Sequence, residues 1–347
     1  MSIPEVAVVG AGAAGLVTAL ALAERGARVS VFERGATLGD GAASWLAGGM
    51  LAPFIERECA DESIETRGRL ALSWWAARFS ELVTAAGSLV VAPPRDRPEL
   101  DRFARRTRAH RPLDAAGIAA LEPALGARFP AGLFYPDEAH LDPRAALAAI
   151  GERLRSLGGS VRFGEAADPE TLARDGRFAT VVDARGLAGR DRQPELRGVK
   201  GEMVIVHAPG VTLSRPVRLL HPRMPLYVVP RPDHRFMIGA SMIESEDAGR
   251  VSVRSLVELL NAAVTLHPGF GEAEVLETGA GVRPAFPDNL PRVAVDGRIV
   301  RVNGLYRHGF LMSPWLGEEA AGAALRGLSP PIPPGGPASR TLQISFN

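Results

Sequence analysis

The sequence predicts an α/β protein in which a domain with a central parallel sheet is interrupted by a second domain built on a mixed or antiparallel sheet. Three observations predict it. The stretch Val6–Glu33 reads as strand, glycine turn, helix and strand; from Lys200 the texture changes from Ala-rich helices to short alternating strands; and near Glu277 the signals of the first domain return. The expected division assigns 1–86, 141–199 and 277–328 to the first domain and 87–140 and 200–276 to the second, with a Pro/Gly-rich tail over 329–347.

The run Val6–Val9 is apolar and largely β-branched, as suits a strand buried on both faces of a parallel sheet. GAGAAG follows at once. Gly10 suits a tight turn, Gly12 lets an anion approach the backbone, and Gly15 lets the helix Ala13–Glu24 pack closely on the strand, its N-terminus facing the anion. Glu33, at the end of the next strand Arg28–Phe32, stands where a carboxylate accepts ribose hydroxyls. With 38 glycines in 347 residues the bare glycine pattern carries little weight. The preceding strand, the following helix and the terminal acid are separate requirements, and together they point to a dinucleotide. The acid argues against a 2′-phosphate and so against NADP, while FAD and NAD stay open.

Composition bounds the remaining possibilities. A chain that is 46% hydrophobic and 23% charged is ordinary for a soluble globular protein, and a net charge of +1 gives no bulk attraction to nucleic acid or to a membrane. The single cysteine, Cys59, forms no intramolecular disulfide, and no apolar run approaches a membrane span. The first strand begins by residue 6, which leaves no room for a signal peptide, so a cytoplasmic location is expected. No metal site is expected.

The elements then follow in order. Leu38–Pro53 is rich in small residues, which let a backbone lie against a flat ligand. Leu70, Trp74, Phe79 and Leu82 predict an amphipathic helix over Asp61–Gly87, with the aromatics in the core. The Arg-rich run Arg102–Arg111 reads as a solvated helix face rather than a nucleic-acid patch, given the balanced charge elsewhere. Phe134–Pro143 reads as a loop re-entering the first domain, and Asp142-Pro143 starts a helix that continues to Leu157. Val161–Phe163 and Thr180–Ala184 are expected strands, the second ending beside Gly186. Glu202–His207, Leu226–Val229 and Phe236–Ser241 are expected to form an antiparallel sheet, with Arg231–Arg235 as a hairpin loop and Ser255–Leu266 as a helix.

The returning segment carries chemistry. Arg283, between Val282 and Pro284 in a stretch poor in charge, offers a fixed fork of donors suited to a carboxylate, or else to a structural acid of the protein. Leu305–Tyr306 is expected to end a strand, Gly309 to turn, and Ser313-Pro314 to open a helix running to Leu325. The positive end of that helix suits an anionic ligand group.

These motifs together resemble a known family. GAGAAG with Glu33, ASWLAGGMLAP, LYVVPR at Leu226–Arg231, GVRP at Gly281–Pro284 and YRHGFLMSP at Tyr306–Pro314 run in that order over nearly the whole chain. The set is similar to the glycine oxidase branch of the D-amino-acid oxidase family, and most to the branch that supplies the imine of glycine for the thiazole ring of thiamin. The resemblance implies FAD rather than NAD, in a Rossmann-like FAD-binding domain with an inserted substrate domain. In sarcosine oxidases a cysteine in the C-terminal third tethers the flavin; none follows Cys59 here, so FAD is expected to be noncovalent.

Carried over residue by residue, the resemblance makes Arg283 the clamp of a substrate carboxylate, Tyr227 the hydroxyl that assists it, and Arg307 an arginine beside the substrate. Met50, Met242 and His308 are expected to line the substrate pocket. FAD is expected against Gly10, Ala11, Gly12, Ala13, Ala14, Gly15, Glu33, Arg34, Ala42, Ala43, Ser44, Gly48, Gly49, Met50 and Gly186, with Gly309, Phe310, Leu311 and Met312 at the flavin pyrimidine. Two departures stand out: His308 replaces the asparagine of some members, and the RGLAGRD segment after Ala184 lacks the usual small-aromatic pattern. The implied reaction is oxidative deamination of glycine, with sarcosine, proline or small D-amino acids as alternatives. Hydride passes from Cα to flavin N5 and, with O2 as acceptor, an imine and H2O2 result. A dehydrogenase using another acceptor and a non-catalytic flavin-binding protein are the other readings. A small-molecule substrate and a homo-oligomer are expected, with neither nucleic acid nor membrane as partner.

Overall fold

The strand Glu5–Val9 lies inside a six-stranded sheet because its side chains leave no room for water: Val6, Ala7 and Val8 are fully buried. A computed structural model describes residues 3–126, 128–221 and 225–326 of the chain. The strand order in this sheet is Arg292–Asp296, Ile299–Asn303, Thr180–Asp183, Glu5–Val9, Arg28–Glu33 and Ser160–Phe163. Every neighbouring pair is parallel except the edge pair Arg292–Asp296 with Ile299–Asn303. Val6 sits in register with Val29 on one side and Thr180 on the other, so the glycine turn emerges between two parallel neighbours. That crevice is where ligands of open parallel sheets bind.

Three helices close one face of the core. Ala13–Glu24 packs so tightly on Gly309–Arg326 that a Cβ at Gly317 would lie 2.8 Å from Val17 Cγ1. Glu62–Arg78 crosses the same helix and starts at Asp61, whose side chain accepts from the Ser63 N–H. This third helix is shorter than the expected span Asp61–Gly87, for an aromatic reason. Phe79 leaves helical geometry at φ −145° and packs against Trp74 and Trp75, with ring centroids 6.3 and 5.8 Å away, and a 3₁₀ turn Ser80–Leu82 follows. Leu70 is 57% exposed rather than part of the core.

The second sheet has eight strands, in the order Glu274–Ala285, Arg197–His207, Arg235–Gly239, Leu226–Arg231, Val217–Leu219, Ser88–Val91, Ala131–Tyr135 and Arg111–Asp114. It is mixed, since Val217–Leu219 runs parallel to Ser88–Val91 while the other pairs are antiparallel. The hairpin joining Leu226–Arg231 to Arg235–Gly239 places Asp233 and His234 at φ +60° and +52°, the left-handed geometry that matches strand twist. Val253–Leu266 begins two residues earlier than expected because Ser252 is its N-cap, and it buries Leu259, Ala263 and Leu266 against Val204, Val228 and Ile238.

Four further expectations change. The return to the first sheet comes after Ala285, not near Glu277, because Glu274–Ala285 pairs along its length with Arg197–His207. Phe134–Pro143 is not simply a loop: it enters from the strand Ala131–Tyr135 and contains Ala139–His140, which pairs with Met50–Leu51. The Arg-rich run is a helix only to Arg106, and its arginines meet acids, Arg106 at Glu58 (3.5 Å) and Arg108 at Glu65 (2.6 Å). The last helix starts at Gly309, so Pro314 is interior rather than at its first turn. Pro314 has no N–H for the Phe310 carbonyl. That carbonyl instead accepts from Trp75 Nε1 at 3.0 Å, so the freed acceptor is satisfied from another helix. The tail 329–347 lies outside the described residues.

Candidate active site

Residues from both sheets line one cavity of about 1040 Å³. One end is built from backbone. Gly10 has φ +106°, and a Cβ there would stand 2.5 Å from the Ala184 carbonyl oxygen; a Cβ at Gly15 would stand 1.9 Å from the Gly10 oxygen. Both glycines are therefore demanded by the fold itself. Gly12 differs: it is the N-cap of Ala13–Glu24, and the first atom a Cβ would meet is Ser44 Oγ at 3.6 Å. The space above it is open to an anion at a helix N-terminus. Glu33 braces the turn, its Oε2 accepting from the Ala11 N–H (2.7 Å) and its Oε1 from the Gly35 N–H (2.8 Å). Each oxygen keeps a second lone pair for a hydroxyl.

Gly10, Gly12, Ala13, Ala14, Glu33, Arg34, Ala42, Ala43, Ser44, Gly48, Gly49, Met50, Gly186, Gly309, Phe310 and Leu311 all line the cavity. Ala11, Gly15 and Met312 do not. Ala11 and Met312 are buried, with 1% and 0% exposure, and Gly15 packs on Gly10. The helix Gly309–Arg326 directs its N-terminus at the far end of the same cavity, so two helix N-termini face one elongated space. A diphosphate at one, ribose hydroxyls at Glu33 and an electron-rich ring at the other are the donor set that FAD requires, and the residues fit it.

The other end is built from side chains. Arg283, on the strand Glu274–Ala285, lays its guanidinium over Gly201, where a Cβ would lie 2.1 Å from Nη2. Its Nη1 donates to the Ser241 carbonyl at 3.1 Å, and among the described residues no carboxylate stands within ion-pair distance. Burial, with Arg307 nearby, brings its pKa down to about 10. Arg307 is the contrast: Nη2 lies 2.8 Å from Glu56 Oε2, and although burial opposes the charge, Glu56 outweighs it and raises the pKa well above the ordinary value. Burial also works to raise the Glu56 carboxyl. Arg307, His308 and Arg218 overcome it and hold Glu56 far below the usual carboxylate range, so it is ionised.

Tyr227 joins this cluster in a defined sense. Arg218 Nη1 donates to its hydroxyl at 2.7 Å, and the hydroxyl donates to Glu56 Oε1 at 3.3 Å. An arginine can only donate, so the one phenolic proton is directed at Glu56, and a bond from Tyr227 to a ligand requires that 3.3 Å contact to give way. Burial pushes the phenol pKa up, so the group stays neutral. His308 is 4% exposed, with Nδ1 3.2 Å from Glu56 Oε2. Met50 is half-buried against the cluster of Met203, Val229 and Met237, whereas Met242 is 52% exposed, its sulfur 3.7 Å from both Tyr306 Oη and Arg307 Nη1.

Sequence reasoning missed Glu56 and Arg218. The available signal was a charge inside an apolar run, Glu56 after Pro53-Phe54-Ile55 and Arg218 between Val217 and Leu219.

Comparison with known proteins identifies the family. The chain is 54% identical over 312 residues to a protein of Rhizobium etli named as the thiamine biosynthesis oxidoreductase ThiO, covering 90% of this chain and 94% of that one. It is 29% identical over 349 residues to the glycine oxidase of Geobacillus kaustophilus, covering 90% of each. The crystal structure of glycine oxidase from the same organism superposes with a TM-score of 0.76 over 93% of this chain and 95% of that one, at 24% identity, which shows the shared fold. A family model described as DAO, FAD dependent oxidoreductase, matches residues 5–323. The chain belongs to the DAO family of FAD-dependent oxidoreductases, of the glycine oxidase type.

Proposed function

We propose that this enzyme oxidises glycine to its imine and that the imine serves thiazole formation in thiamin biosynthesis. The observation that carries the substrate class is Arg283, a buried cation lining the cavity with no carboxylate of its own among the described residues. A desolvated guanidinium is stabilised by an incoming anion, and its planar fork matches a carboxylate. Gly201 leaves the room in which that fork lies flat. Arg307 is not equivalent, because Glu56 already balances its charge. It borders the site and fixes Glu56, while Arg283 clamps the substrate carboxylate. The name of the Rhizobium etli relative supports the biosynthetic role, and that of the Geobacillus kaustophilus relative supports the substrate.

FAD, when bound, supplies the acceptor for a hydride from the substrate Cα and passes the electrons to dioxygen, giving H2O2. Gly10, Gly12 and the N-terminus of Ala13–Glu24 hold its diphosphate, Glu33 its ribose, and the backbone at Gly309–Leu311 its ring. The first contribution of the chain to rate is positioning: Arg283 fixes the carboxylate, and with it the Cα carbon, at the ring end of the cavity. Met50 and Met242 bound the pocket on the side-chain end. A substrate panel with peroxide detection tests the reading. Glycine is expected to give the highest kcat/KM, ahead of sarcosine, D-alanine and proline, and a preference for a bulky amino acid would overturn it.

A further inference from the structure

We propose that His308 is the base that takes a proton from the ammonium group of the substrate, an inference that rests on the reading of this pocket as a site for glycine. An α-amino acid arrives with a protonated amine, whose nitrogen has no lone pair to drive electrons off Cα. A proton must leave before hydride can. The groups at this end of the cavity are Arg218, Arg283, Arg307, Glu56, Glu246, Tyr227, Tyr306 and His308, and Glu246 is paired with Arg190. Arginine does not deprotonate in proteins. Glu56 is committed to Arg307 and Tyr227, and those partners make its carboxylate a weak proton acceptor. The Tyr227 hydroxyl is neutral and bonded on both sides, and the Tyr306 hydroxyl faces Met242 sulfur at 3.7 Å. Cys59, whose thiol pKa is raised by burial and which feels Arg307 and Glu56, is not among the residues lining the cavity.

His308 is arranged differently. Its Nδ1 is 3.2 Å from Glu56 Oε2. The pair lies outside hydrogen-bond geometry, but a carboxylate oxygen this close favours the tautomer protonated on Nδ1, because a lone pair there would face a negative charge, and this leaves the lone pair on Nε2. Nε2 has no hydrogen-bond partner among the described residues, and the residue lines the cavity. The backbone of this residue is held on both sides, and one ring contact borders its side chain. Its backbone N–H donates to Leu305 O at 2.8 Å, its carbonyl accepts from the Met312 N–H at 2.8 Å, and the ring meets Tyr306 edge-on with centroids 6.1 Å apart. In the proton step an N–H bond of the ammonium breaks, its electron pair stays on the amine nitrogen, and the proton bonds to Nε2. The imidazolium then forms an ion pair with Glu56. Asparagine cannot accept a proton at neutral pH, so His308→Asn removes the function while keeping a polar side chain.

The test follows anaerobic flavin reduction by glycine against pH in the wild-type holoenzyme, His308→Asn and His308→Gln. In both variants the rate per unit glycine is expected to fall about 100-fold at neutral pH. The acid limb of the profile is expected to move up to the pH at which free glycine loses its own ammonium proton, where variant and wild type converge. Imidazole added to His308→Ala is expected to restore part of the rate. Acetate, which has a carboxylate and no amine, gives a readout independent of turnover: its affinity, followed by perturbation of the flavin spectrum, is expected to be unchanged in His308→Asn. Loss of acetate affinity in parallel with rate would overturn the proposal by making His308 a support of the carboxylate clamp. A wild-type pH profile in His308→Asn would overturn it directly. A wild-type enzyme that glycine does not reduce at any pH would instead overturn the reading of the substrate.

Discussion

The two ends of the cavity are built on opposite plans. The end at Gly10–Gly15 is made of backbone from one continuous stretch, with Glu33 tying the turn to the next strand through two N–H bonds. The end at Arg283 is made of charged side chains drawn from the helix Pro53–Glu56, the strands Val217–Leu219, Leu226–Arg231 and Glu274–Ala285, and the turn before Gly309. A backbone site is enforced by chain geometry, whereas a side-chain site is enforced by partners. The first should fail by losing the cofactor, and the second should keep the cofactor and fail in turnover.

The sharpest expected separation comes from Arg283. Arg283→Ala is expected to lower kcat/KM for glycine by about 2–5 kcal/mol, the usual effect of truncating one partner of a buried charge pair, while the purified protein stays yellow. Gly201→Ala is expected to mimic it in part, since its Cβ would occupy the place of Nη2. Near-normal glycine kinetics in Arg283→Ala would remove the clamp assignment. At the other end, Gly15→Ala forces a Cβ against the Gly10 oxygen and is expected to cost about 1–3 kcal/mol of stability and to give a colourless protein, measured by thermal melting and flavin content. Glu33→Ala is expected to weaken FAD retention by about 1–3 kcal/mol, because two backbone donors and the ribose hydroxyls lose their acceptor. A mutant that stays fully yellow on dilution would show that Glu33 braces the turn and nothing more.

A smaller effect compares two buried acids. Glu56 is held ionised by cations, whereas Glu138, which accepts from the Phe54 and Ile55 N–H groups at 3.0 and 2.8 Å, is pushed up to about 8 by burial. The folded pKa of Glu138 lies above its unfolded value of 4.5, so below 4.5 it has no effect. Between 4.5 and about 8 the unfolded chain ionises while the native carboxyl stays neutral, and stability falls as pH rises. Glu138→Gln removes this dependence. Its melting temperature relative to wild type is expected to rise by a few degrees, roughly, across that window, and a constant difference would contradict the assignment. The smallest effect is expected at the Arg-rich helix, where Arg102→Ala, which loses only an exposed pair with Glu99, should change stability by no more than about 0.5 kcal/mol.

The same contrast explains what could be read before folding. The backbone end was legible because turn, helix and acid lie within 28 consecutive positions and obey local rules, from Val6 to Glu33. The family likeness located Arg283, Tyr227 and Arg307, but not the charge balance that distinguishes them. Glu56 and Arg218 escaped notice because charged or polar partners of each lie far away in sequence, Arg307 and Tyr227 for the first and Glu58 for the second. Local rules also misplaced the start of the last helix. Ser313-Pro314 has the pattern of a first turn, yet an indole from Glu62–Arg78 satisfies the carbonyl that Pro314 cannot, and the helix begins earlier. Likewise Glu274–Ala285 reads as a return to the first domain, because nothing local announces its long register with Arg197–His207.

The central claim is that an FAD-containing enzyme binds glycine by its carboxylate at Arg283 and takes electrons from its Cα. The most direct measurement is the visible absorbance of the purified protein before and after anaerobic addition of glycine. The account predicts a flavin spectrum that bleaches with glycine in the wild type and stays coloured, with much slower bleaching, in Arg283→Ala. A yellow wild-type protein whose spectrum glycine leaves unchanged would contradict it.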